Sequence, residues 1–383
     1  MEKNNRIFVD IHILQTVPPS CINRDDTGSP KTAQFGGVNR ARVSSQSWKH
    51  AIRRNFRENY PLYWSGDRTF LVLPMVAEKI KESDDSLDVD LLSKIAFFNA
   101  GVEISELSKE IQNIKEGPKA LFFISDSQAK ALAELIVKDF KQGKKDVLDN
   151  IKKYNDNKNK KDKKTTKIDR YVEALSRDPS VDIALFGRMV ADNNDLNKDA
   201  CVQVAHSIST HEVRTEYDYF TAEDDCKEEP GAGHLNTNEF NSSILYRYAT
   251  IDVESLHKYS NINTAEAVRG FTEAFIKTMP TGKQNSYANK TIPDLVYIAV
   301  RSDQPINLVG AFERPVIAKQ DGYFIPSEKA FTQYSKDTYN KFVSKPIASW
   351  GVSRGESLSE IADISSLSEI LDKLESYIID FFK

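Results

Sequence analysis

The apolar residues of this chain change their spacing twice, and that change decides what the chain can fold into. Ile7, Val9, Ile11 and Ile13 alternate with Phe8, Asp10, His12 and Leu14, the two-residue period of a strand. The polar members of the second set predict that only one face of this strand is covered. Between residues 61 and 179 the period becomes helical, with Leu91, Leu92, Ile95 and Phe98 in one candidate helix and Leu132, Leu135, Ile136 and Phe140 in another. Strand-like segments return at residues 201–213, 244–253 and 295–300, separated by a helix over 264–279 with Val268, Phe271 and Phe275 on one face. Strands at both ends of a helical middle predict an α+β fold, one sheet domain interrupted by an inserted helical domain.

Pro18, Pro19 and Ser20 stop the first strand, because proline removes ladder donors, and a loop rich in Gly, Asn, Asp and Arg runs on to Arg42. Ser44 or Ser45 then caps a helix in which Trp48, Ile52 and Phe56 recur every four residues, with Lys49, Arg53 and Arg57 on a neighbouring stripe. The first 60 residues hold ten Lys/Arg against five Asp/Glu, while the whole chain has a net charge of −4. Any attraction for nucleic acid is therefore local. Cations beside loop amides, Ser44 and Gln46 can neutralise phosphates without reading bases. The plain alternative is a solvated helix face.

Two further segments stand out. Residues 151–167 hold eight lysines and almost nothing apolar, so they cannot be anchored by burial. Residues 214–243 combine turn chemistry at Pro230, Gly231, Ala232 and Gly233 with Tyr217, Tyr219 and Phe220, and predict a long projecting hairpin. At the end of the chain, Leu367, Leu371, Leu374, Ile378 and Phe381 mark an amphipathic helix.

Several function classes lose their usual signals. There is no G-x-x-x-x-G-K-[ST] or G-x-G-x-x-G phosphate cradle, and His206 and His211 do not have the spacing that puts two ligands on one helical face. Cys21, Cys201 and Cys226 are odd in number and far apart, which fits neither a disulfide framework nor a zinc site. No metal and no cofactor is expected. The start of the chain has no signal-peptide pattern and no apolar run approaches a membrane span, so the expectation is a cytoplasmic protein without a membrane partner. Two acidic pairs, Asp25-Asp26 in the basic loop and Asp224-Asp225 in the hairpin, keep one enzymatic alternative open, since paired carboxylates can bind Mg²⁺ for phosphodiester cleavage, as a metal-dependent ribonuclease would. The reading favoured for Asp25 and Asp26 is structural, pairing with or orienting Arg24.

Ordered motif blocks carry a more specific signal. Residues 20–26 (Ser-Cys-Ile-Asn-Arg-Asp-Asp), Phe35-Gly36-Gly37 and residues 42–49 (Arg-Val-Ser-Ser-Gln-Ser-Trp-Lys) are followed by residues 181–189 (Val-Asp-Ile-Ala-Leu-Phe-Gly-Arg-Met). Ala205-His206 with Thr210-His211, then residues 219–222 and 246–249, complete the series. Together they resemble the CasC family, which forms the backbone of the type I-E CRISPR Cascade complex, and the resemblance spans most of the chain.

The resemblance implies a right-hand architecture: a palm resembling an RNA-recognition motif (ferredoxin-like), an inserted helical domain and a long β-hairpin thumb. It assigns residues 1–60 to the first part of the palm, 61–180 to the insertion, 181–213 to the palm again, 214–243 to the thumb, and 244–383 to the rest of the palm with the C-terminal helix. It implies a non-catalytic subunit that oligomerises along crRNA and presents guide bases to target DNA, with other copies of itself, other Cascade subunits and a recruited nuclease as partners. Arg24, Lys31, Arg42, Ser44, Gln46, Lys49 and Arg53 would hold guide phosphates, and Tyr219, Phe220, Thr221 and Met189 would act where the thumb crosses the RNA. Lys160, Lys161, Lys164 and Lys167 would grip target DNA. The acidic thumb, with Glu216, Asp218 and Glu239 among its residues, would dock in part on a neighbour's basic surface.

Overall fold

In the computed structural model, described for residues 6–156, 166–223, 232–318, 320 and 322–383, the chain is a mixed α+β protein made of two compact units. One unit holds the residues up to Asn55, together with Val202–Lys258 and Asn263–Lys383; the other holds Phe56–Cys201 and Tyr259–Ile262.

The first unit is organised by a ten-stranded sheet. Its strands are β1 (Phe8–Ser20), β2 (Thr32–Phe35), β3 (Val38–Val43), β4 (Val202–Val204), β5 (Ser207–Ser209), β6 (Glu216–Glu223), β7 (Ala232–Asp252), β8 (Leu295–Arg301), β9 (Ala348–Ser353) and β10 (Asp363–Ile364). The order is β10-β9-β8-β1-β7-β5-β3-β2, with β4 and β6 also pairing β7. The β9–β10 pair is parallel and the others are antiparallel.

Both faces of β1 are buried, which corrects the one-sided expectation. Val9, Ile11 and Ile13 are fully buried on one face, and Asp10 and His12 are 1 % exposed on the other. The polar pair is tolerated because tyrosines from the neighbouring strands meet it. The Tyr248 hydroxyl donates to Asp10 Oδ1 (2.9 Å), the Ile306 amide donates to Asp10 Oδ2 (2.9 Å), and His12 Nδ1 shares a hydrogen bond with the Tyr246 hydroxyl (2.8 Å). Leu14, Tyr246 and Tyr297 continue this face into a core with Leu308, Phe312 and Phe331. On the other face, the Arg247 guanidinium lies over the rings of Trp48 (3.8 Å) and Phe275 (4.6 Å), which come from the helices Ser45–Asn59 and Thr264–Lys277. Burial lowers the pKa of this guanidinium to about 9.

The helix Ser45–Asn59 forms where its sequence predicts. Trp48, Ile52 and Phe56 are fully buried, and Trp48 Nε1 donates to Ser207 Oγ on β5 (2.9 Å). The C-terminal helix, Leu367–Phe381, begins with a capping box between Ser366 and Glu369 and buries Ile370, Leu371, Leu374 and Ile378.

The second unit surrounds its own core with the helices Val72–Ser83, Val89–Asn99, Asp126–Lys141, Lys145–Asp156 and Asp169–Ser176. It also contains two small strand pairs, Asp67–Thr69 with Phe122–Ile124 and Ile104–Ile111 with Ile114–Pro118. Arg188 is 4 % exposed within it and donates to the carbonyls of Phe123, Leu175 and Leu196. Among the described residues, no helix is long and apolar enough to cross a membrane.

Candidate nucleic-acid interface

The basic loop is built outward from the end of β1. Pro18 and Pro19 cannot continue the ladder, and the register slips between Val17↔Ser243 and Ser20↔Asn241. Cys21 and Ile22 are then buried, and Asn23 ties the loop at two points: its carbonyl accepts from the Lys31 amide (2.9 Å) and its Oδ1 from the Ser44 amide (2.9 Å). The second bond fixes the start of the basic helix to the loop. The Arg42 amide in turn donates to the Lys31 carbonyl (2.9 Å), so the two cations are held on neighbouring strands of backbone.

Between these ties, β2 and β3 form a hairpin turned by Gly36 (φ 61°) and Gly37 (φ 79°). A Cβ on Gly36 would lie 1.7 Å from the Glu313 carbonyl oxygen, so this position needs glycine for its φ and for its space. Arg40, one of the ten cations counted in the first 60 residues, is fully buried here. It donates to the carbonyls of Phe35 (3.2 Å), Ser209 (2.9 Å), Phe312 (2.8 Å) and Glu313 (3.3 Å). It braces the sheet and takes no part in the surface charge.

The residues expected to hold phosphates occupy distinct places. Arg24 and Gln46 are exposed, while Lys31, Arg42, Lys49 and Arg53 are half-buried. Burial pushes the Lys49 ammonium below its usual pKa, so this stripe is more than a freely solvated helix face. Ser44 is 6 % exposed and caps the helix, its carbonyl accepting from the amides of Ser47 (3.0 Å) and Trp48 (3.3 Å). Arg42 donates through Nε to the Thr32 carbonyl (3.1 Å) and lies 3.1 Å from His206 Nδ1. The pKa of His206 is lowered by burial and then by the charges of Arg42 and Lys31, so the positive charge here rests on the two cations and the imidazole beside them is held toward its neutral form. His211 is structural. Its Nε2 accepts from the Ile244 amide (3.2 Å), so Nδ1 carries the proton it donates to the Glu212 carbonyl (2.7 Å).

The predicted hairpin is formed by β6 and β7, with Tyr217 opposite Glu239, Tyr219 opposite Thr237 and Phe220 opposite Asn236. Tyr217 and Tyr219 are about two-thirds exposed (67 % and 68 %) and Phe220 is 39 % exposed, an unusual display of aromatic surface. Thr221 lies on β6, and its side chain is outside the described residues, as is the hairpin tip with Asp224, Asp225 and Cys226.

One contributor escaped sequence reading. Lys283, in a left-handed conformation (φ 46°), donates to Asn238 Oδ1 at the hairpin root, and the rings of Tyr287 and Phe240 meet nearby (6.1 Å). The pKa of the Cys21 thiol is raised by burial and influenced by the charges of Lys283, Arg24, Asp25 and Glu239, which places loop and hairpin root around one point. The available signal was the Gly282-Lys283 dipeptide, a few residues past the helix Thr264–Lys277, where no apolar period explains a cation.

In the second unit, Met189 is 83 % exposed and follows the buried Arg188. Lys167 forms an ion pair with Asp195, and Lys160, Lys161 and Lys164 lie outside the described residues.

Of the two loop carboxylates, Asp25 behaves as scaffold and Asp26 is exposed. Asp25 Oδ1 accepts from the Thr27 hydroxyl (2.7 Å) and from the amides of Thr27 (3.0 Å) and Ser29 (3.0 Å), and these bonds, led by the Thr27 hydroxyl, lower its pKa. Asp25 therefore organises its own turn, a correction to the expected pairing with Arg24. Among the described residues, no group of three or more His, Cys, Asp or Glu side chains is placed to hold a metal ion.

Comparison with known proteins adds an independent line. A family model described as CT1975-like protein matches residues 9–377. A chain in a solved structure described as "CRISPR RNA-guided surveillance complex, pre-nicking" is similar with a TM-score of 0.80 and 30 % identity, over 97 % of this chain and 100 % of that one. A second, described as "CRISPR RNA-guided surveillance complex", is similar with a TM-score of 0.71 and 27 % identity, over 97 % and 99 %. No curated protein matches.

Proposed function

The chain belongs to the CT1975-like protein family, in line with the CasC resemblance of its motif blocks, and from that premise we propose that it is a non-catalytic backbone subunit of a type I-E CRISPR Cascade surveillance complex in the cytoplasm. The sheet-bearing unit acts as a palm resembling an RNA-recognition motif, and the β6–β7 hairpin as a thumb. Copies polymerise along crRNA, hold its phosphates and present its bases to target DNA, alongside other Cascade subunits and a recruited nuclease. Base pairing then supplies sequence specificity and the protein supplies geometry.

The observation that carries this reading is the meeting, within one compact unit, of a basic loop, a basic helix tied to it through Asn23 and Ser44, and the root of a hairpin exposing Tyr217 and Tyr219. Cations can neutralise the backbone while aromatic faces receive displaced bases, a pairing suited to single strands of any sequence.

The test is binding of two single-stranded RNAs of unrelated sequence across a salt series. Equal affinities with a steep salt dependence are expected; strong preference for one sequence would contradict phosphate gripping, and assembly that proceeds equally without RNA would point to a protein-only scaffold. Complementary RNA incubated with the assembled complex and Mg²⁺ should stay intact. Neutralising Lys160, Lys161, Lys164 and Lys167 together should weaken target DNA capture and spare RNA binding.

A further inference from the structure

We infer that a small cleft at the hairpin root, between β1, β3 and β7, seats a ribose 2′-hydroxyl of the bound strand, and that Asn241 thereby makes the protein select RNA over DNA. The inference rests on the RNA-binding reading above and adds a determinant of strand chemistry to it.

The cleft follows from the sequence of β1. Pro18 and Pro19 bring no amide hydrogens, the register slips by one residue beside them, and Ser20 faces Asn241 across the gap. Ser20, Asn23, Lys31, Arg42, Asn241 and Ser243 are among the residues lining the space that remains. Asn241 is 8 % exposed, and its side-chain nitrogen is buried without a hydrogen-bond partner among the described residues. A buried amide donor left unpaired is costly and calls for a ligand atom.

Size and chemistry limit that atom. The cleft has about 20 Å³ of room for a water-sized group, enough for one hydroxyl or water and too little for a phosphate. Asn241 offers a donor, while Ser20 Oγ, which donates to the Pro18 carbonyl (2.8 Å), keeps lone pairs that can accept. A group that both accepts and donates fits this pair, and the 2′-hydroxyl is the only such group on the sugar that DNA lacks. Lys31 and Arg42, lining the same cleft, are placed to take the phosphate beside that ribose.

The experiment measures binding of the full chain to a labelled single-stranded RNA of mixed sequence, to the DNA of the same sequence, and to RNAs carrying single 2′-deoxy substitutions along their length. One lost hydrogen bond predicts about threefold to tenfold weaker binding at the positions that occupy the cleft. Asn241→Ala should shrink the RNA-to-DNA affinity ratio by the same factor and flatten the 2′-deoxy scan, and Asn241→Ser should restore part of both. A flat scan with wild-type protein that binds RNA well would mean the cleft holds a water only, and would overturn this inference while leaving the proposed function standing. An unchanged ratio in a folded Asn241→Ala would overturn it equally. If wild-type protein bound neither strand, the RNA-binding reading itself would fall, and this inference with it.

Discussion

Arg40 and Arg42 stand two residues apart on β3 and belong to different regions of the molecule. Arg40 reaches into the sheet interior, is fully buried and spreads its donors over the carbonyls of Phe35, Ser209, Phe312 and Glu313. Arg42 turns to the rim, beside Lys31 and His206. The interior uses the planar five-donor fork of arginine to tie β2 and β5 to the Phe312–Glu313 segment, whereas the rim uses its charge. A cation count along a sequence adds these two kinds together, and only the second kind can meet a phosphate.

The largest expected effect tests the interior. Arg40→Ala leaves several buried carbonyls without donors and should cost about 3–5 kcal/mol in denaturant unfolding. Arg40→Lys should rescue little, since one ammonium cannot reproduce the fork. Arg42→Ala should cost less than about 1 kcal/mol. Equal losses from the two alanines would erase the distinction between interior and rim.

The turn that leads into the strand carrying both arginines sharpens the comparison. Gly36→Ala combines a left-handed φ with a Cβ driven into the Glu313 carbonyl and should destabilise by about 3 kcal/mol. Gly37 has a similar φ, yet nothing lies within 4 Å of its missing Cβ. Gly37→Ala should therefore cost only about 1–2 kcal/mol, the left-handed strain alone. If both cost the same, the approach of Glu313 to Gly36 contributes nothing.

The interior should also respond to pH. Burial lowers the pKa of His12 to about 3 from an ordinary 6.5, so the unfolded chain binds a proton there first and stability falls as the pH drops below 6.5. At pH 5 this loss is roughly 2 kcal/mol at 1.36 kcal/mol per unit. Burial raises the pKa of Asp10 to about 6 from 3.8, which acts in the opposite sense: its stabilising share is complete below 3.8 and is lost as the pH rises through 6. His12→Phe should remove the acid loss, and Asp10→Asn should steepen it by removing the partial offset. Unfolding free energies measured from pH 7 to pH 4 would check both signs.

What was legible in the sequence was whatever local periodicity controls. The four-residue spacing of Trp48, Ile52 and Phe56 fixed a helix and its buried stripe, and the alternation in β1 fixed a strand. The burial of Asp10 and His12 was not legible, because it depends on Tyr246 and Tyr248, more than 230 residues away along the chain. Arg40 misled for the same reason: its acceptors at Ser209 and Phe312 come close only through the sheet order. In the candidate site, the turn residues after Ser20 marked a break in the first strand, but not the hairpin of β2 and β3 inside the expected loop or the tie from Ser44 back to Asn23 across 21 residues, and Lys283 required knowing which loop reaches the hairpin root.

The smallest effect on stability belongs to the rim, and it is the one that bears on function. Arg24 is exposed and Lys49 half-buried on the helix that starts at the loop, so the double change Arg24→Ala and Lys49→Ala should alter unfolding free energy by less than about 1 kcal/mol. Its effect should appear in RNA binding. Each phosphate contact on a single strand contributes about 0.7 to the slope of log affinity against log salt, so losing two should flatten that slope by about 1.4. Affinity should fall by the same factor for every RNA sequence, because neither residue is asked to read a base. A loss confined to some sequences would show base reading at the rim, and an unchanged slope would leave both cations outside the grip.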